Sequence, residues 1–109
     1  MKGLDSETAL IGCLLLEPKA CCNEVFSEIT ADMFFSDECR EVFEVCQKAY
    51  FEKNGAYDIA TISSRLNPEL RTVALRYAET LPSVSNWKLY MNSVKDSYTT
   101  RTVVNRANE

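Results

Sequence analysis

The chain has 109 residues, 46% hydrophobic and 26% charged, with a formal net charge of −4 and no histidine. That is the length of one domain and the composition of an ordinary globular one, which excludes disordered and fibrous classes. The absence of histidine removes a common general base and a common zinc ligand, and no apolar run approaches the length of a membrane span.

Taken in chain order, the sequence reads as helix almost throughout. Asp5 or Ser6 is expected to cap a first helix carrying Ala9, Leu10, Cys13, Leu14 and Leu16, which the Glu17-Pro18 step stops because the residue before proline avoids helical geometry. Gly12 costs that helix stability relative to alanine, so a glycine kept there points to another helix packing close. Pro18 suits the first position of a second helix with Ala20, Val25, Phe26 and Ile29 apolar.

Ser36 opens the clearest element. Asp37 and Glu38 follow where the helix dipole favours anions, and Cys39, Val42, Phe43, Cys46, Ala49 and Tyr50 recur at helical steps until Asn54-Gly55. Asp58 then caps a helix from Ile59 to Leu66, and Asn67-Pro68 both ends it and begins another. That fifth helix carries Leu70, Val73, Ala74, Tyr77, Ala78 and Leu81 as its apolar face. In the stretch TLPSVSNWKLYMNSVK, Pro82 stops the fifth helix and Ser83 or Ser85 is expected to offer an oxygen to the orphan amides of the sixth. Trp87, Tyr90, Met91, Val94 and Tyr98 form the new buried face, with Trp87 expected to be largely buried. With no strand alternation, linker or repeat, the fold expected is all-α: a single compact multi-helix domain, an orthogonal helical bundle.

Chemistry is sparse. Cys13, Cys21, Cys22, Cys39 and Cys46 contain no C-x-x-C pair and mostly fall on apolar faces, so they read as buried reduced thiols. The carboxylate pairs Glu24/Glu28 and Glu41/Glu44 have the spacing of a solvated helix face. There is no Gly-rich phosphate loop ending in Lys-Ser/Thr. The fold is expected to form without metal, nucleotide or other cofactor.

Charge is uneven: residues 1–60 hold five Lys/Arg against twelve Asp/Glu, and residues 61–109 hold seven against four. The acidic half argues against coating of duplex DNA, and Arg65, Arg71, Arg76, Lys88 and Lys95 in the basic half are candidates to face an acidic partner, although solvated positions explain most of them. Residues 58–80, with Arg71 and Arg76, superficially suggest a helix-turn-helix, but a break consisting of Asn67 alone is shorter than that motif's turn. The N-terminal residues, with Asp5 and Glu7 where a basic segment would lead, do not resemble a secretory signal, and a cytoplasmic location is expected.

Five fragments in order are similar to the N-terminal domain of bacterial and phage replicative DNA helicases of the DnaB type: ETALIGCLLLEP (7–18), FFSDECREVF (34–43), DIATI (58–62), LPSVSN (81–86) and YMNSVKDSYTTR (90–101). That family's Leu-Gly-x-Leu-Leu-Leu-Asp-Pro signature appears as Ile11-Gly12-Cys13-Leu14-Leu15-Leu16-Glu17-Pro18, and its Pro-Ser-Ala-Ala-Asn corner as Pro82-Ser83-Val84-Ser85-Asn86. Two departures stand out: Cys39 replaces a histidine common in the third helix, and Asn67-Pro68-Glu69-Leu70-Arg71 is shorter than the usual Gly-rich connection.

The resemblance implies a helical head in the collar of a hexameric helicase, which helps assemble the ring and takes part in binding primase or a loader. Its partners would be those proteins and other helicase subunits, with no direct nucleic-acid contact and no membrane. ATP and magnesium belong to the parent's motor domain, which this sequence does not contain. Residues 1–98 would then be the head and residues 99–109 the start of a hairpin helix. On that helix Arg101, Val103, Val104 and Arg106 form the candidate partner or self-association surface. Two other readings are the helicase-interacting C-terminal domain of a primase, which resembles the same fold, and a small helix-turn-helix DNA-binding regulator.

Overall fold

The computed structural model describes the backbone of residues 2–52 and 57–107 and the side chains of residues 6–52 and 57–103. Among these the chain forms six α-helices and two short 3-10 turns, with no strand. They are α1 (Lys2–Leu16), α2 (Pro18–Glu28), a 3-10 turn at Ala31–Met33, α3 (Asp37–Glu52), α4 (Ile59–Arg65), α5 (Pro68–Glu79), a second 3-10 turn at Val84–Asn86, and α6 (Trp87–Ala107).

The hub is α1, against which α2, α3, α4, α5 and α6 all pack. Ala9, Leu10, Ile11, Cys13, Leu14 and Leu15 are all buried, so from residue 9 to 15 the helix is enclosed on every side, as expected of a helix apolar all round. The single stripe read from the sequence was too narrow. Ile11 and Leu15 belong to the core, while Leu16, which was assigned to it, is 43% exposed at the corner with α2. The expected start is also corrected, because α1 begins at Lys2 and Ser6 lies inside the helix, with nothing before it to break the turn. The side chain of Asp5 lies outside the described residues.

Gly12 has the role its cost implied. A Cβ built there would sit 2.9 Å from the Tyr77 carbonyl oxygen of α5 and 3.5 Å from Leu81, so α1 and α5 touch at backbone distance only because this residue has no side chain.

Local caps set the other helix starts. The Ser36 hydroxyl accepts from the Cys39 N–H at 3.3 Å, the Asp58 carboxylate from Thr61 at 2.8 Å, and the Asn67 side chain from Leu70 at 2.9 Å. Pro18 and Pro68 both stand in the first helical turn, where a missing N–H costs nothing. The Asn54-Gly55 stop expected for α3 lies outside the described residues; the helix is described to Glu52.

The core joins α1 to Cys21, Cys22, Val25 and Phe26 of α2, to Cys39, Val42, Phe43, Cys46 and Ala49 of α3, and to Ile62, Ala74, Ala78, Met91 and Val94 farther on. Phe34 and Phe43 are fully buried with ring centroids 4.9 Å apart, and Phe26 meets Phe43 edge-on at 5.3 Å.

The corner before α6 differs from its reading in two respects. Ser83 and Ser85 bond each other, Oγ to Oγ at 2.7 Å, instead of capping amides. The entry is made by the 3-10 turn itself, in which the Trp87 N–H donates to the Val84 carbonyl. Trp87 is only half-buried against the core, with the Lys88 ammonium 5.5 Å from its ring centroid, because α6 turns Met91 and Val94 inward instead. Trp87→Ala is therefore expected to cost about 1–2 kcal/mol, below the roughly 3–5 typical of a fully enclosed tryptophan. A thermal melt should show a midpoint lowered by about 5–15 °C; an unchanged midpoint would contradict the packing of this face.

Candidate functional site

Polar, reactive or open features gather at four places: the α3 entry, the buried thiols, the concave surface beside α1, and the outer part of α6.

At the α3 entry, Glu7 is 1% exposed, the one charged side chain among the buried described residues. Its carboxylate accepts the backbone N–H of Phe35 at 2.9 Å and that of Ser36 at 3.0 Å, so α1 holds the chain just where α3 begins. These are the amides of the cap residue Ser36 and of the residue before it, which lead into α3, and an anion there is favoured by the helix dipole. Arg40 closes the same corner from the other side, donating to the Phe34 carbonyl at 2.9 Å and pairing with Asp37 at 3.0 Å. The arrangement is structural: both carboxylate oxygens are occupied by backbone donors. Sequence reading missed it, because a Glu early in a helix looks like any other first-turn acid and only the tertiary fold shows what it reaches.

All five cysteines are free and buried, as expected. Burial pushes the Cys13 and Cys39 thiols up to about 11 and Cys46 to about 12. The Cys21 Sγ donates to the Glu17 carbonyl at 3.4 Å. Interaction with the neighbouring Cys22 thiol, and then burial, push Cys21 up, while the same neighbour pushes Cys22 down against the effect of its burial. The Cys22 sulfur also lies 3.0 Å from the Tyr57 hydroxyl, which itself donates to the Leu14 carbonyl at 2.7 Å. Tyr57 thus ties α1 to α2 through a satisfied buried phenol, whose ionisation is pushed up chiefly by desolvation. Both Cys21 and Cys22 are 1% exposed, so access decides their reactivity. A disulfide reagent is expected to label the native chain slowly and to titrate five thiols at once in denaturant; rapid native labelling would show that the core opens readily. Among the described residues no group of three or more Cys, Asp or Glu is placed to hold a metal ion.

An open cleft of about 300 Å³ lies where α1 turns into α2, lined by Leu15 to Lys19 and by Tyr57, Asp58 and Ile59. It is at the small end for a ligand site, and of its polar lining the Tyr57 hydroxyl is spent on Leu14 and the Asp58 carboxylate on Thr61, which leaves Glu17 and Lys19.

The basic residues singled out from the sequence are mostly engaged. Arg65 pairs with Glu52 at 2.9 Å and Lys95 with Glu28 at 2.6 Å. Arg71, although exposed, donates to the Ser63 and Leu66 carbonyls at 2.9 and 3.1 Å, so its guanidinium closes the α4–α5 corner. Arg76 and Lys88 are exposed. Of the carboxylates, Glu28 is the partner of Lys95, while Glu41 and Glu44 stand on the exposed face of α3.

The candidate surface on α6 divides. Arg101 folds back onto the bundle, donating to the Met33 carbonyl at 2.8 Å with its guanidinium 5.4 Å from the Phe35 ring centroid. Val103 is 59% exposed. The side chains of Val104 and Arg106 lie outside the described residues, although α6 continues to Ala107. No helix among the described residues is long and apolar enough to cross a membrane.

The domain is an all-α bundle wrapped around its first helix, with capped corners and a long last helix. The chain belongs to the DnaB-like helicase N-terminal domain family, whose model matches residues 2–96. It is thus a domain of the replicative-helicase type, and its DNA-replication context follows from that membership. Neither the curated proteins nor the solved structures give a significant match.

Proposed function

We propose that this domain is a non-catalytic assembly and docking module of a replicative DNA helicase, contributing to ring organisation and to the binding of primase or a helicase loader. ATP and Mg²⁺ would be handled by a motor domain outside this sequence, and a cytoplasmic setting goes with the same reading. The observation that carries it is the family match over residues 2–96. The side-chain inventory supports it: the buried polar groups Glu7 and Tyr57 are both spent on backbone partners, which leaves the surface as the place for function.

Calorimetric titration of the 109-residue chain with primase, and separately with the loader, from the same replication system tests the proposal. Saturable binding to one of them is expected. A folded chain that binds neither, or that binds duplex DNA with a steep salt dependence, would overturn it.

The oligomeric state is a separate expectation. The exposed large apolar side chains, among them Phe35, Phe51, Leu89 and Val103, are spread over different elements, whereas stable interfaces bury about 1,200–2,000 Å² in one patch. Sedimentation at micromolar concentration should show a monomer or weak dimer. A stable hexamer would mean that the head alone carries the ring contacts.

A further inference from the structure

We propose that the outer half of α6, from Lys95 to Val103, is a polar-latched strap that Lys95, Tyr98 and Arg101 clasp to the corner at residues 28–35, and that it opens as a unit while the rest of the bundle stays folded. The inference holds whichever partner the domain binds.

Burial marks where the strap begins. Met91 is 3% exposed and Val94 is fully buried, and from Lys95 to Val103 no residue is buried at all. The inner half of α6 is therefore held by apolar packing, while the contacts that fasten the partly buried outer half are chiefly hydrogen bonds and charge contacts. Those contacts recur every three residues along one side of the helix and reach successive points of one connection. Lys95 Nζ meets Glu28 at 2.6 Å, the Tyr98 hydroxyl donates to Asp32 at 3.2 Å, and Arg101 donates to the Met33 carbonyl at 2.8 Å beside the Phe35 ring.

The receiving corner is the firmer of the two bodies. Glu7 holds the Phe35 and Ser36 amides, Arg40 holds the Phe34 carbonyl, and Thr30 bonds Asp32. Opening consequently moves the helix and leaves the corner in place. Within the strap the Thr99 and Thr102 hydroxyls donate back to the Lys95 and Tyr98 carbonyls, a pattern that favours helix bending. Segments with few buried apolar contacts open locally well below the cost of global unfolding. The latch thereby sets the direction in which α6 leaves the bundle, and its release uncovers Phe35, already 59% exposed beneath Arg101.

Native-state hydrogen exchange on the full chain tests this with Arg101→Ala and, from the other side of the same contact, Phe35→Ala. Alanine is a better helix former than arginine, so faster exchange in Arg101→Ala cannot come from helix propensity. Arg101→Ala is expected to speed exchange of the amides of residues 99–103 about tenfold, the effect of losing a charge-assisted hydrogen bond, and Phe35→Ala, which removes only the ring beneath the guanidinium, about threefold, with Leu10–Leu15 and Val42–Ala49 unchanged in both. Equal acceleration throughout would show that α6 opens only with the whole bundle. No acceleration in either variant would show that the clasp does not hold the helix. Either result overturns the proposal.

Discussion

Glu7→Ala is expected to destabilise the domain by about 3 kcal/mol, because it leaves two backbone donors at the start of α3 without their charged acceptor and each such loss typically costs on the order of 1–3 kcal/mol. Against the roughly 5–15 kcal/mol that keeps a small domain folded, this is a large fraction. Glu7→Gln separates charge from shape: the amide keeps one acceptor oxygen but turns an NH₂ donor toward a backbone N–H, so an intermediate loss is expected. Urea denaturation of the three proteins gives the comparison. A loss below about 0.5 kcal/mol for Glu7→Ala, the range of ordinary surface substitutions, would mean that water replaces the carboxylate without penalty.

Glu7 also shows where the sequence stops being informative. Asp58 is legible as a helix cap, and Ser36 and Asn67-Pro68 as helix starts, because the side chains of Ser36, Asp58 and Asn67 each satisfy an amide three residues along their own chain, so the whole interaction lies within one short window. Glu7 does the same for amides 28 and 29 residues away, and nothing local distinguishes it from a solvated acid. Ser83 and Ser85 carried an equally good local signal but bonded each other, because a 3-10 turn supplied the α6 entry. Cap residues announce that a helix begins; they do not announce which donor they will meet.

Buried faces follow the same division. The stripe of α3 was legible because that helix has one inner face, and Cys39, Val42, Phe43, Cys46 and Ala49 are all buried. The surroundings of α1 were not, since periodicity shows that a helix has an apolar side but not that the other five helices all pack against it. Arg101 marks the limit for the surface. A cation near the end of an apparently unpartnered helix was read as an outward contact, whereas the fold brings the Met33 carbonyl and Phe35 beneath it. Val103 remains exposed, so of that surface the described side chains place one residue outward and one against the bundle.

Gly12→Val should be about as damaging as Glu7→Ala, for the opposite reason: it adds atoms where there is no room. Even the first carbon of any side chain would lie 2.9 Å from the Tyr77 carbonyl oxygen, and a backbone atom in the last turn of α5 cannot swing aside as a side chain can. Relief requires α1 and α5 to separate, which loosens packing around Ala74 and Ala78; overpacking of this kind typically costs about 1–3 kcal/mol, and more when backbone must move. Gly12→Ala sets two effects against each other, because alanine gains about 1 kcal/mol of helix propensity over glycine. The clash is expected to win by about 1 kcal/mol, since the single Cβ already meets the carbonyl. A second substitution identifies the obstacle. Leu81 lies at an ordinary contact distance of 3.5 Å, so adding Leu81→Ala should fail to restore the stability of Gly12→Ala. If Gly12→Ala instead raised the urea midpoint, helix propensity would outweigh the contact, and the backbone approach of α1 to α5 would have to be wider than described.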